Sequence, residues 1–195
     1  MSTGAITKQV ILEKKFNSHL IEKGVELILQ GLGCDRNDHN YTDTPERYTK
    51  ALREMFGGQD TEWATFKEEY TDFILLRGHT MYSLCPHHLF PVKLNVSLAY
   101  IPNGEVLGLS KLARLLHECN RGPLLQEAFT KQAIAKLHHI CRDVKGAACF
   151  IQGEHGCLTM RGAKSDADFV TYRLDGAFET DDLLARRFFD LVRKR

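Results

Sequence analysis

Val92-Lys93-Leu94-Asn95-Val96-Ser97-Leu98-Ala99 alternates apolar and polar side chains with a period of two. That period belongs to a β-strand with one face buried and the other wet, as in an antiparallel sheet. Working outward, residues 71–82 read as the preceding strand. Residues 147–151 and 157–160 read as a later pair, with a glycine-containing turn over 153–156 between them. Two helices separate these strand regions, one over 110–118 with Ser110 as its cap and one over about 124–142. Upstream, a helix starts near Ser18, carries Leu20, Ile21, Val25 and Ile28, and stops at the glycines of 31–33. A second opens at Asp43-Thr44-Pro45-Glu46, with Thr44 as cap and Pro45 at the first helical position, and runs to about Phe56. A last amphipathic helix covers roughly 180–193. Strands, two helices, then strands again predict an α+β fold around an antiparallel sheet.

The chain has 195 residues, 43% apolar and 26% charged, which suits one domain with a full core. A formal net charge of +1 leaves no general basic field for nucleic acid, so any anion site is local. No run approaches the roughly 20 apolar residues of a membrane span. Met1-Ser2-Thr3-Gly4 lacks the charged-then-apolar pattern of a signal peptide, and the cytoplasm is the expected compartment. Of six cysteines, Cys119, Cys141 and Cys149 fall in helical or strand patterns and read as core thiols, and Cys34 carries no role.

Two short motifs remain, Cys85-Pro86-His87-His88 and His155-Gly156-Cys157. They offer two thiolates and three imidazoles. Three ligands fill a catalytic zinc site and leave a fourth position for water. The two other histidines are then available for acid–base work near their own pKa. On spacing alone, a buried thiol beside a surface histidine explains Cys85 and His88 equally well. His138 and His139 read as packing or surface residues, and His19, His39, His79 and His117 have no supporting pattern.

Gly108-Leu109-Ser110-Lys111-Leu112-Ala113-Arg114 opens a helix with a cation in its first turn, where the helix dipole disfavours one. An anion at that helix start would explain Lys111, with Ser110 and Arg114 alongside. Solvated charges on an ordinary cap explain it as well. Arg161, four residues beyond Cys157, brings a further cation toward the metal motif. Gln126-Glu127 begins the long helix, and a carboxylate there is able to accept paired N–H donors such as guanine presents.

These segments together resemble GTP cyclohydrolase I. The resemblance rests on Asp43-Thr44-Pro45-Glu46-Arg47, Cys85-x-His87-His88, Ala99-Tyr100-Ile101-Pro102-Asn103-Gly104, the 108–114 segment, Gln126-Glu127 and Glu154-His155-x-Cys157-x-Thr159-Met160-Arg161-Gly162, in that order over residues 16–175. It implies a tunnelling fold: a four-stranded antiparallel sheet with helices on one side, a helical part over 1–60, a core over 61–175 and a C-terminal helix over 176–195, all in one domain. It implies homodecamers of two stacked pentamers with active sites at subunit interfaces. It implies zinc on Cys85, His88 and Cys157, with His87 and His155 as the acid–base pair. Gln126 and Glu127 would contact the guanine edge. Ser110, Lys111, Arg114 and Arg161 would contact ribose and triphosphate, with Ser110 also joining proton transfer. The implied reaction takes GTP and water to 7,8-dihydroneopterin triphosphate and formate.

Three departures stand out. Pro86 replaces the family's Glu, Leu94 replaces a Gly, and Asp166 and Asp168 enter a stretch that the family keeps basic. The added carboxylates motivate two alternatives: a hydrolase that stops at an opened pyrimidine nucleotide, and a non-catalytic zinc- or nucleotide-binding homologue.

Overall fold

The structure, a computed structural model, describes residues 16–58 and 61–193; Met1 to Gly4, where no signal pattern was read, lie outside the described residues. The chain divides into two compact units, Met1–Lys50 and Ala51–Arg195. In chain order the elements are α1 (Ser18–Gly31), α2 (Thr44–Phe56), β1 (Thr65–Lys67), β2 (Ile74–Leu84), β3 (Pro91–Ile101), β4 (Glu105–Leu107), α3 (Leu109–Cys119), α4 (Gln126–Ile140), β5 (Gly146–His155), α5 (Gly156–Thr159), β6 (Phe169–Gly176), α6 (Ala177–Thr180) and α7 (Asp182–Arg193).

The first unit follows local rules. Asn17 caps α1, its side chain accepting from the Leu20 N–H at 3.1 Å. Asp35 and Asp38 each accept from the backbone N–H two residues on, at 2.9 and 2.8 Å, and turn the chain toward α2. Thr44 is not a cap. It is the first helical residue, and its hydroxyl donates back to the Asn40 carbonyl.

The second unit is built on a four-stranded antiparallel sheet in the order β2-β3-β5-β6, with a small β1-β4 pair beside it. Alternation along β3 holds from Pro91 to Val96. Val92, Leu94 and Val96 enter a core with Leu112, Leu115 and Leu116 of α3 and Phe129 and Leu137 of α4. From Ser97 onward both faces are buried, because Ala99 and Ile101 meet Phe73, Phe178 and Phe188 on the opposite side. The residues of 97–101 therefore lose the polar-out half of the pattern: α6 and α7 cover what would otherwise be the wet face.

Several expected boundaries move. Residues 157–160 do not form a strand; most of them are α5, and the outer partner of β5 is β6. Leu158 and Met160 are too short a run to distinguish the two periods. A Cβ at Gly156 would meet the Pro91 carbonyl at 2.8 Å, so glycine allows the chain to turn tightly there. β6 escapes detection because it is an exposed outer strand without clean alternation. α3 is capped by Gly108, not Ser110, and its first residue Leu109 is 84% exposed. Cys119, Cys141 and Cys149 are buried as expected. Burial pushes the thiols of Cys119 and Cys141 up to about 12 and about 11, and that of Cys149 higher still, so all three stay protonated.

α7 is held by Phe188, fully buried and edge-on to Phe178 and Phe189, and by an exposed ion pair of Arg187 with Asp72 at 2.7 Å. Burial outweighs the solvent-screened pair here. Phe188→Ala is expected to cost about 3–5 kcal/mol in urea unfolding, and Asp72→Asn far less. Equal losses would show that the ion pair, not the aromatic packing, seats the helix.

Candidate metal centre and acid–base site

The loop between β2 and β3 is closed by two backbone bonds. The Cys85 N–H donates to the Phe90 carbonyl at 2.9 Å, and the Leu89 N–H to the Cys85 carbonyl at 2.8 Å. Leu89 takes φ 55°, a left-handed conformation costing a non-glycine residue roughly 1–2 kcal/mol. The loop leaves Cys85 buried and turns His87 and His88 outward. Across the sheet, Val92 pairs with His155, so β5 ends beside this loop and α5 presents Cys157 to it.

The ligand atoms of Cys85, His88 and Cys157 lie within 4.8 Å of one another, and Cys85 Sγ is 3.8 Å from His88 Nδ1. Tetrahedral zinc, with Zn–S near 2.3 Å and Zn–N near 2.1 Å, sets such donors about 3.6–3.8 Å apart. The donor set therefore fits zinc and supplies three ligands, leaving one position open. Burial and the neighbouring Cys85 sulfur hold the Cys157 thiol above its usual value, while Arg161 pulls it down. A cation shared by the two sulfurs removes that conflict. His88 Nε2 accepts from Arg161 Nη1 at 2.8 Å. Once Nδ1 gives its lone pair to a cation, the neutral ring carries its proton on Nε2 and no longer accepts from Arg161. That frees the guanidinium for another anion.

His155 is held differently. Its Nε2 lies 3.0 Å from Oε1 of Gln126, which is buried at the start of α4. The Gln126 amide nitrogen donates to the carbonyls of Ile151 (3.2 Å) and Phe169 (2.9 Å) and contacts Thr171 Oγ1 (3.1 Å). Thr171 and Thr130 hydroxyls meet at 2.9 Å, and Thr130 donates to the Gln126 carbonyl at 2.8 Å. This network fixes the amide orientation, so Oε1 must accept and His155 must donate from Nε2. Nδ1 is left as the working nitrogen. Burial lowers the His155 pKa, partly opposed by the Glu127 carboxylate. A cleft lined by Ser83, Leu94, Gln126, Phe129 and His155 adjoins the pair.

The other expected site residues divide into two groups. His87 is near the cluster, its Nδ1 4.0 Å from Cys85 Sγ. Glu127 is exposed beside His155. Ser110, Lys111 and Arg114 are not brought to the cluster. Gly108 donates to Ala64 O just before β1, whereas Asn120, after α3, donates to Tyr82 O near the cluster at 2.8 Å. The rise along α3 alone sets those two ends roughly 15 Å apart. Among the departures, Pro86 is exposed and Leu94 is core, opposite Gly153. The Asp168 carboxylate is taken up by Gln152, while Asp166 is exposed. Sequence reasoning missed the fastening of Gln126. Thr130, one turn beyond it in the same helix, was the available signal.

The family model for GTP cyclohydrolase I matches residues 21–193. GTP cyclohydrolase 1 of Clostridium perfringens strain 13 is 37% identical over 178 residues, covering 88% of this chain and 96% of the relative. That of Coxiella burnetii strain Dugway 5J108-111 is 35% identical over 184 residues, 91% of this chain and all of the relative. Among solved structures, archaeosine synthase QueF-Like in the apo form aligns over 53% of this chain with a TM-score of 0.42 and 17% identity.

A Cβ at Gly153 would stand 2.1 Å from Gln126 Oε1 and 3.1 Å from His155 Nε2. Gly153→Ala should therefore expel the Gln126 amide and release His155. Long-range ¹H–¹⁵N NMR of the imidazole should pass from one dominant Nε2–H tautomer to a mixture. An unchanged tautomer would refute the assigned network.

Proposed function

The chain belongs to the GTP cyclohydrolase I family, and we propose that it uses the Cys85–His88–Cys157 cluster and the fastened His155 to convert GTP and water to 7,8-dihydroneopterin triphosphate and formate. The observation that carries this reading is the convergence of three zinc-type donors next to a histidine with one nitrogen committed and one free. Zinc held there supplies the Lewis acidity that lets water attack near neutral pH.

The remaining work falls to side chains. His87 protonates guanine N7 and so makes C8 electrophilic. Water adds at C8, the C8–N9 bond breaks, and hydrolysis of the resulting formamide releases formate. Two waters enter and ring closure to the pterin returns one, which balances the overall reaction. His155, through Nδ1, and Ser110 move protons during the later ribose rearrangement and closure. Each acid–base group is expected to contribute about 10²–10⁴-fold. Glu127 pairs with the guanine N1–H and 2-amino group. Gln126, assigned with it to the guanine edge, acts chiefly by holding His155. Arg161, freed from His88, takes a phosphate together with Lys111 and Arg114.

The separation along α3 supports an active site shared between copies, with Ser110, Lys111 and Arg114 supplied by a neighbour. The sheet itself supports a ring. It ends on β2 and β6, and Phe169, Val170 and Tyr172 of β6 are exposed. Pairing of such outer strands would bury those apolar groups and extend the sheet from copy to copy. We assign the assembly as two stacked pentamers. No helix among the described residues is long and apolar enough to cross a membrane, and the cytoplasm is the proposed compartment.

Two experiments test this reading. Cys85→Ala should lose zinc and yield neither formate nor dihydroneopterin triphosphate by mass spectrometry. Formate with an opened pyrimidine from the unaltered chain would instead mean a truncated reaction. Cys85→Ala and Arg114→Ala chains, each inactive alone, should recover part of the activity when unfolded together and reassembled. Absence of recovery in correctly assembled mixtures would place both halves of the site in one chain.

A further inference from the structure

Outside this site, two histidines with no sequence signal face each other. His79 Nε2 on β2 lies 3.3 Å from His117 Nε2 on α3. Their rings are nearly perpendicular, at 89°, with centroids 5.2 Å apart. The meeting depends on a β-bulge. Leu76 pairs with Leu98 and His79 with Val96, so β2 carries one extra residue between them. Gly78 sits there at φ +67°, and its N–H donates to Ser97 Oγ at 3.0 Å. Leu98 and Val96 both face the helix-side core. Without the extra residue His79 would turn to the opposite face of the sheet.

Two nitrogens bonded to one metal at about 2.05 Å and held 3.3 Å apart subtend an angle of about 107°, close to tetrahedral. If both lone pairs point at that shared position, the ring centroids fall about 5.1 Å apart, against roughly 5.6 Å for a straight N–H···N hydrogen bond. The observed 5.2 Å agrees with convergence on a common point. Burial, and then the facing His117, lower the basicity of His79, so its lone pair stays available near neutral pH.

We propose that His79 and His117 form a second metal site, taking one divalent cation of the zinc, nickel or copper class through their Nε2 atoms and completing its coordination with water. Imidazole nitrogen is the donor these ions favour. The site staples α3 to β2. The bridged helix carries Ser110, Lys111 and Arg114 in its first half, and the bridged strand runs directly into Cys85.

The test counts zinc on the full chain. Equilibrium dialysis against buffered micromolar free zinc, followed by elemental mass spectrometry, should find two equivalents per chain in the unaltered protein. His79→Gln and His117→Gln should each bind one, with circular dichroism confirming the fold of both. His138→Gln should keep two; His138 lies 2.7 Å from the Asp175 carboxylate and is the competing nitrogen–oxygen pair. Cobalt in place of the second zinc should add visible ligand-field bands without the near-ultraviolet sulfur charge transfer of the cysteine centre. One equivalent in the unaltered chain overturns the proposal. So does a second equivalent that survives either histidine change.

Discussion

β3 is paired along both edges, with Leu84 opposite Pro91 on one side and Val92 opposite His155 on the other. That double register brings the loop after β2 and the turn after β5 to the same end of the sheet. A slip of one residue would turn every side chain of β5 to the other face. Cys157 would then leave Cys85, and Gly153 would no longer open the space that Gln126 fills. The register is in turn held by burial. Val96, Leu98 and Tyr100 are fully inaccessible on one face, and Ala99 on the other. The chemistry at the exposed end thus depends on apolar packing further along the same strand.

Much of this was legible in the chain. The alternation of 92–99 identified the central strand, and the cysteine and histidine types marked the three side chains that converge at the candidate metal centre. Cys119, Cys141 and Cys149 are buried as their neighbours in sequence suggested, although Cys85 is buried as well. What sequence could not show was the closure of distant segments. Cys85 and Cys157 are about seventy positions apart, and their joining follows from the pairing of β3 with β5, which no local pattern encodes. The strand read into 157–160 failed because four residues cannot display a period, and β6 went unread because an exposed strand need not alternate. His79 and His117 carried no signal because their meeting depends on a single extra residue in β2.

The two halves of the expected site obey opposite constraints. Cys85 and His88 sit in a closed hairpin loop, Cys157 sits on α5 beside it, and His155 is fastened to a buried amide network. Ser110, Lys111 and Arg114 lie on a helix whose first two residues are exposed and whose start is far from that cluster. A rigid half suits bond-making groups, which must be held within fractions of an ångström. Triphosphate charge tolerates looser placement, because Coulombic attraction falls off gradually with distance. The proposed supply of an anion-binding half from another copy would therefore be chemically economical, since the less demanding contact would be the one made across an interface.

The histidines of the site are also unequal, and this bears on their proposed roles. His155 donates from Nε2 to the Gln126 amide carbonyl, and burial lowers its basicity. Such a ring remains neutral at a pH where an ordinary histidine begins to protonate. It is therefore suited to accepting a proton through Nδ1 rather than to delivering the first one. His87 stands exposed on the hairpin loop, close to the cluster but without an amide fixing its tautomer. That exposure supports the proposed assignment of the first protonation, at guanine N7, to His87, and the fixed tautomer of His155 supports giving it the later proton transfers. On that proposal, the Gln126 amide, by holding one nitrogen of His155 occupied, is what would separate the two roles.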